Sequence, residues 1–149
     1  MADTDWVLAL KNKFSEAVDE VSSGCLVLPG EDIFRAINFL KREYGFDYLM
    51  NLAALDYKDR LAVVYNLYSF KLKGKVCLKV FLPRDNPTIE SMTGIFAAAN
   101  WQEREAFDLM GINFTGHPDL RRILLPDDYA GYPLRKDYTK EGFLPMPTV

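Results

Sequence analysis

The chain has 149 residues, enough for one domain with a short extension. A chain of this size buries about 68–70% of its unfolded surface and needs no cross-link to fold. Hydrophobic residues are 49% and charged residues 26%, which excludes disorder over the whole length; 18 basic against 21 acidic side chains give a net charge of -3 and disfavour a nucleic-acid-binding surface.

Residues 6–21 read as an amphipathic helix. Val7, Leu10, Phe14, Ala17, Val18 and Val21 recur at three- and four-residue steps, Thr4 or Asp5 stands as cap, and Ser22-Ser23-Gly24 is the stop. Cys25 to Leu28 is a short apolar strand closed by Pro29-Gly30. A second helix is predicted over 32–44, with Ile33, Ile37, Leu40 and Tyr44 as its stripe, Lys41 and Arg42 in the last turn and Gly45 as the stop. The period then changes to two, and 48–56, 61–70 and 76–82 are strands. Their links are too short for a parallel crossover, so they form an antiparallel meander, while the strand at 25–28 arrives through a helix and can lie parallel to a neighbour. Residues 88–100 and 101–110 read as helix, broken near Asn100, and Gly111 to Gly116 as a helix stop and turn. The fold class is α+β: an antiparallel sheet of three to four strands covered by helices, in a domain over 1–116.

An extended arm follows over 117–149. From Gly116 onward there are five prolines, yet Leu120, Ile123 to Leu125, Tyr129, Tyr132 and Tyr138 keep the segment apolar. Such a segment lies on another surface, a partner's or its own domain's, and the partner is favoured for the last ~20 residues because ordering costs about 1–2 kcal/mol of backbone entropy per residue. A turn at Gly131-Tyr132-Pro133 would aim Arg135 and Tyr138 at that partner.

Few residues suggest chemistry. The acidic start lacks the basic and apolar parts of a signal peptide, and no apolar run approaches the ~20 residues of a membrane span, so membrane association is expected only through partners. Cys25 and Cys77 are 52 positions apart with no Cys-x-x-Cys; they read as buried thiols, a disulfide being the alternative. His117 is the sole histidine, too few for a nitrogen–sulfur metal site and without a nucleophile motif for a triad; it reads as a structural residue in the His117-Pro118 turn. Glu105 and Asp108 share a helical face and could serve as acid and base, but exposed charged pairs are common on solvated or partner-facing helices. Neither a phosphate loop nor a dinucleotide fingerprint is present. Arg121-Arg122 and Arg135-Lys136 sit in a segment whose five basic and five acidic residues cancel between Asp119 and Glu141, which suits pairing with carboxylates better than phosphate steering.

The run from Trp101 to Pro126 nevertheless has a distinctive order. Glu103-Arg104-Glu105 is followed by Asp108-Leu109-Met110, then His117, then Arg121 and Ile123-Leu124. A second element follows as Gly131-Tyr132-Pro133-Leu134-Arg135-Lys136-Asp137-Tyr138. Together these resemble the 30-kDa (C-type) subunit family of respiratory complex I, NADH:quinone oxidoreductase. The resemblance implies a scaffold subunit of the peripheral arm of a proton-translocating complex, with no catalytic, cofactor or metal site of its own. NADH, FMN, iron–sulfur clusters and quinone would lie on partner subunits. The implied partners are the D-type subunit, which carries the quinone site and is related to hydrogenases, and the B-type subunit, which holds the terminal iron–sulfur cluster. The implied location is peripheral, at the cytoplasmic side of a bacterial inner membrane. Glu103, Arg104, Glu105, Asp108, His117, Arg121, Arg122, Arg135, Asp137 and Tyr138 carry over as fold and interface positions. The alternatives are the equivalent subunit of a related dehydrogenase fed by ferredoxin or a reduced deazaflavin coenzyme, or of a membrane-bound hydrogenase, and a stand-alone enzyme using Glu105, Asp108 and His117.

Overall fold

A computed structural model describes residues 2–20 and 24–138, with backbone alone for 2–4 and 20. The elements run α1 (Ala2–Lys13), β1 (Val18–Glu20), β2 (Cys25–Val27), α2 (Ile33–Tyr44), β3 (Tyr48–Asp56), β4 (Arg60–Ser69), β5 (Gly74–Pro83), β6 (Thr88–Glu90), α3 (Ala99–Met110) and β7 (Asn113–Thr115). Five strands form one sheet in the order β1-β2-β5-β4-β3. The β3-β4-β5 meander is antiparallel as predicted, and β2 lies parallel to β5, pairing Leu26 with Leu78. The fold is α+β, but the sheet is mixed and not purely antiparallel. A two-stranded parallel sheet, β6 with β7, stands apart from it.

Alternation places Leu61, Val63, Tyr65 and Leu67 of β4 on the same face as Val76, Leu78, Val80 and Leu82 of β5. All are buried, together with Trp6, Leu10 and Phe14 of the N-terminal segment and Ile33, Ile37 and Leu40 of α2. Helix α2 ends where Gly45 turns left-handed at φ 71° and its N–H reaches back to the carbonyls of Leu40 and Lys41. On the opposite face Lys79 is buried as well, donating to the Tyr57 hydroxyl at 2.9 Å and lying over the Tyr57 and Phe81 rings.

Four expectations need correction. The first helix begins at Ala2 and ends at Lys13, so Thr4 and Asp5 lie inside it and do not cap it. Ala17 donates back to Phe14, and Val18 enters a strand paired with Val27, 62% exposed; its place in the helical stripe was coincidental. The expected stop at Ser22-Ser23 lies outside the described residues. Residues 88–98 are not a helix. β6 forms first, and turns follow, because the side chain of Glu103 and the carbonyl of Thr115 engage the Met92 and Ser91 backbone N–H groups. Gly111 does stop α3, but the expected turn to Gly116 contains β7. Finally, Cys25 and Cys77 are not thiols: they form a disulfide across the β2–β5 pair, Cα atoms 4.6 Å apart. The Leu26–Leu78 register is what brings two residues so distant in sequence side by side.

No helix among the described residues is long and apolar enough to cross a membrane. The Cys25–Cys77 bridge closes a loop of separation 52. Its reduction should lower stability by about 2–4 kcal/mol. Denaturant titrations with and without a thiol reductant check this, and equal midpoints would show that the bridge contributes nothing.

Candidate functional site

Helix α3 carries three acids of the distinctive run, and the fold sends them to different surroundings. Glu103 is fully buried. Its carboxylate accepts from the Ser91 hydroxyl and from the Met92 N–H, each at 2.6 Å. His117 Nε2 stands 3.9 Å from it. Burial pushes the Glu103 carboxyl above its ordinary pKa, and the hydrogen bonds from Ser91 and Met92 only partly offset this. His117 Nδ1 accepts from the Asp119 N–H at 2.9 Å, so Nε2 carries the proton toward the Asn100 carbonyl at 3.1 Å. Both ring nitrogens are thus hydrogen-bonded, and the side chain joins the end of β7 to the start of α3.

Asp108 is also fully buried. One carboxylate oxygen accepts from three successive backbone N–H groups, Ile123 at 3.2 Å, Leu124 at 2.8 Å and Leu125 at 3.0 Å. The other meets Arg122 Nη1 at 3.2 Å. Burial alone would raise the Asp108 pKa. The three N–H groups and the guanidinium outweigh it, and the carboxyl ends below its usual range. The carboxylate thus acts as a cap for a chain segment far from it in sequence. Glu105, between these two acids, faces outward and lines an open trough against β3.

The arm is organised from the same helix. Arg104 donates to the Arg121 carbonyl at 3.2 Å and lies 4.7 Å from the exposed Trp101 ring. Arg122 also donates to the Gly131 carbonyl at 3.1 Å, and its guanidinium lies over the Tyr129 and Tyr132 rings. Arg135 donates to the Met110 carbonyl at 2.7 Å, and Leu134 N–H to the Leu109 carbonyl at 3.1 Å. Tyr138 stacks on Tyr129, their hydroxyls 2.6 Å apart. Arg135 and Tyr138, expected to point at a partner, turn back toward the chain's own residues. Arg121 alone of the arm's arginines stays outside, paired with Asp119 at 2.6 Å.

A second carboxylate, missed in the sequence, anchors the far end. Asp56 terminates β3 and takes a two-point bond from Arg84, 2.6 and 2.9 Å, and the Lys136 N–H at 2.8 Å. Arg84 reaches on to Asp137 at 2.6 Å. The Arg84 guanidinium holds the Asp56 carboxyl well below the usual carboxylate range, against the effect of burial. An Asp closing a strand before a three-residue link looks like ordinary turn chemistry, so nothing local marked it. Segment 117–138 is therefore bound to its own domain at several points, and 139–149 lie outside the described residues.

Glu105, Asp108 and His117 do not converge as a catalytic trio: each has a separate set of neighbours. Among the described residues no three His, Cys, Asp or Glu side chains are grouped to hold a metal. The site is a structural clasp with an outward face.

Comparison with known proteins agrees with this architecture. Residues 26–143 match the family described as respiratory-chain NADH dehydrogenase, 30 Kd subunit. The chain is 46% identical over 125 residues to the C subunit of NADH-quinone oxidoreductase of Moorella thermoacetica, covering 83% of this chain and 84% of that one. It is 43% identical over 143 residues to the corresponding protein of Geotalea uraniireducens, covering 91% and 87%. Among solved structures it resembles a trypsin-resistant fragment of Nqo5, with TM-score 0.60 and 34% identity over 64% of this chain and 80% of that one. A chain of an archaeal membrane-bound sulfane sulfur reductase shares the fold, with TM-score 0.79 at 22% identity over 93% of this chain and 86% of that one. The chain belongs to the 30-kDa subunit family of the respiratory-chain NADH dehydrogenases.

Two tests follow from the clasp. Gly111 sits at φ +76°, and a Cβ there would lie 2.6 Å from the Tyr132 ring. Gly111→Ala should destabilise the protein by about 2–4 kcal/mol, combining left-handed strain with overpacking; a thermal melt checks it, and an unchanged midpoint would contradict the packing. The second concerns acid. The depressed folded pKa values of Asp56 and Asp108 make their contribution complete above the unfolded carboxyl value of about 3.9 and lost as pH falls toward the folded values. Glu103, with a raised pKa, changes in the opposite sense, weakening as pH rises through its folded value. Amide protection over 121–138 should therefore fall between pH 5 and 2, and constant protection would remove the carboxylates as the clasp.

Proposed function

We propose that this chain is a non-catalytic scaffold subunit in the peripheral arm of a proton-translocating NADH:quinone oxidoreductase. The observation that carries this reading is the use of the family's charged residues. Glu103, Arg104, Asp108, His117, Arg122 and Arg135 are all engaged in bonds that fasten the arm or the β6–β7 corner to α3. They build a rigid surface instead of presenting reactive groups to a substrate. The two cysteines are joined to each other and the histidine nitrogens are both hydrogen-bonded, so the usual sulfur and nitrogen ligands are already engaged.

On this reading NADH, FMN, iron–sulfur clusters and quinone are bound by other subunits. The chain packs against the hydrogenase-like, quinone-site (D-type) partner and close to the B-type partner with the terminal cluster, and it holds the quinone-site subunits in register. The outward side of the arm, with Arg121, Leu124 and Leu134, faces the partner. The complex sits with this chain on the cytoplasmic side of the membrane, attached through its partners. The equivalent role in a related ferredoxin- or hydrogen-linked complex would use the same clasp.

Purification of the tagged chain from native membranes tests the assignment. The expected result is co-purification with the cluster-bearing and quinone-site subunits, while the separately purified chain shows no flavin or cluster absorption. Stoichiometric flavin or iron on the isolated chain would overturn it. Arg121→Ala should leave melting of the isolated chain unchanged and reduce assembled complex, because the Arg121 side chain pairs with the exposed Asp119. Arg122→Ala should loosen the arm itself. Normal amounts of Arg121→Ala complex with slow turnover would return Arg121 to a role in the reaction.

A further inference from the structure

Strand β3 is one edge of the main sheet. Its outward hydrogen-bonding groups can be read from two bonds. Leu52 N–H leaves the ladder to meet the Gln102 side chain, and Tyr57 N–H points inward to the Arg60 carbonyl. Since alternate residues of a strand face alternate sides, Leu52, Ala54 and Asp56 direct their N–H and C=O groups away from β4. At Leu52 a side chain replaces a neighbouring strand for the N–H. At Ala54 neither backbone group has a partner among the described residues.

The two edges are protected differently. β1, on the far edge, is three residues long and carries Asp19. β3 is nine residues long, and no residue from Tyr48 to Leu55 is charged. A bulge at Met50 breaks the pairing at the start of the strand, but Asn51 to Asp56 run in continuous register with β4. Long uncharged edges are usually blocked by charge, proline or a covering element. Here the cover is incomplete. Between β3 and α3 lies a trough of about 140 Å³, continuing past Ala54 and Leu134 into a wider hollow of about 450 Å³. Ala54, Ala106, Met110 and Leu134 form its apolar side, and Gln102 and Glu105 its polar side. Glu105 lines it at the Leu52 end and Lys136 at the Tyr57 end, and neither side-chain charge is paired among the described residues.

We propose that β3 receives a sixth strand: an extended, apolar segment of a partner protein in the complex, with a basic side chain meeting Glu105 and an acidic one meeting Lys136. The residue opposite Ala54 exchanges both backbone hydrogen bonds with it, and alternate side chains of the segment enter the trough. The opposite charges at the two ends set the direction of the segment and select against an uncharged intruder. The proposal rests on the reading of this chain as one member of a larger complex.

Hydrogen exchange at the Ala54 amide tests it, measured on the full chain alone at two concentrations and on the assembled complex from membranes. The expected result is fast exchange in the isolated chain at both concentrations and exchange slowed about tenfold or more in the complex, as one closed backbone bond requires. Fast exchange in the complex overturns the added strand. Slow exchange in the isolated chain at low concentration assigns the edge to the chain's own residues 139–149, and slowing only at high concentration assigns it to a second copy; either overturns the partner segment. Glu105→Lys and Lys136→Glu should each reduce the chain recovered in the complex by about tenfold, as expected for reversal of a docked charge. Wild-type recovery of both overturns the charge assignment. If the wild-type chain does not co-sediment with the complex at all, it is the scaffold reading that fails, whatever the Ala54 rate.

Discussion

The Asp108 carboxylate is the contact on which the outer half of the molecule depends. A buried anion is tolerated only when its charge is met by donors arranged around it. Here three consecutive N–H groups and one guanidinium meet it. Those three N–H groups can converge on one oxygen only if Ile123 to Leu125 turn tightly over α3. That turn places Arg122 over the Tyr129 and Tyr132 rings and within reach of the Gly131 carbonyl. Tyr132 then closes on Gly111, and Leu134 and Arg135 reach the last carbonyls of α3. The chain arrives at Asp56, which takes the Lys136 N–H and shares Arg84 with Asp137. A proline-rich segment without a helix or strand of its own is thus ordered by two carboxylates, one at each end.

Glu103 performs the complementary task. It is five residues before Asp108, so the helix turns it toward a different side, where it holds the Ser91-Met92 corner beside β6. His117 closes that corner onto Asn100. A charged cluster on one helix therefore fastens two neighbouring parts of the chain, and it resembles a catalytic constellation only when viewed as a string of residue types. Members of multi-protein complexes gain from such rigidity, because a preordered surface loses less entropy on association. The arm's folded side is its anchor, and its other side leaves Arg121, Leu124 and Leu134 exposed.

Much of this was legible in the residues. Period-two alternation and short links defined the β3-β4-β5 meander, and Gly45 and Gly111 marked two helix ends because both must turn left-handed. The order of charged residues from Glu103 to Tyr138 identified the family. What was not legible depended on contacts distant in sequence. Residues 88–98 have helical spacing in Ile89, Met92 and Phe96, but Glu103 captures the Met92 N–H from outside that window. Val18 matches a helical stripe yet pairs with Val27, and no local rule distinguishes the two. The Cys25–Cys77 bridge required knowledge that β2 lies beside β5. Asp56 and Arg84 are 28 positions apart and Asp56 and Lys136 80, so the far anchor of the arm could not be seen locally.

The central claim is that Asp108 holds the arm as one cooperative unit, and not merely the three residues it touches. The direct measurement is amide exchange at Leu134, whose N–H bonds to Leu109 and makes no contact with the carboxylate. In an Asp108→Ala chain, removal of the buried acceptor should weaken the docked arm by about 1–3 kcal/mol and speed Leu134 exchange by roughly five- to a hundredfold, while amides of β4 and β5 keep their protection. Exchange at Leu134 equal to that of the unaltered chain would show that the Asp108 contact is local and that the arm is held by other means.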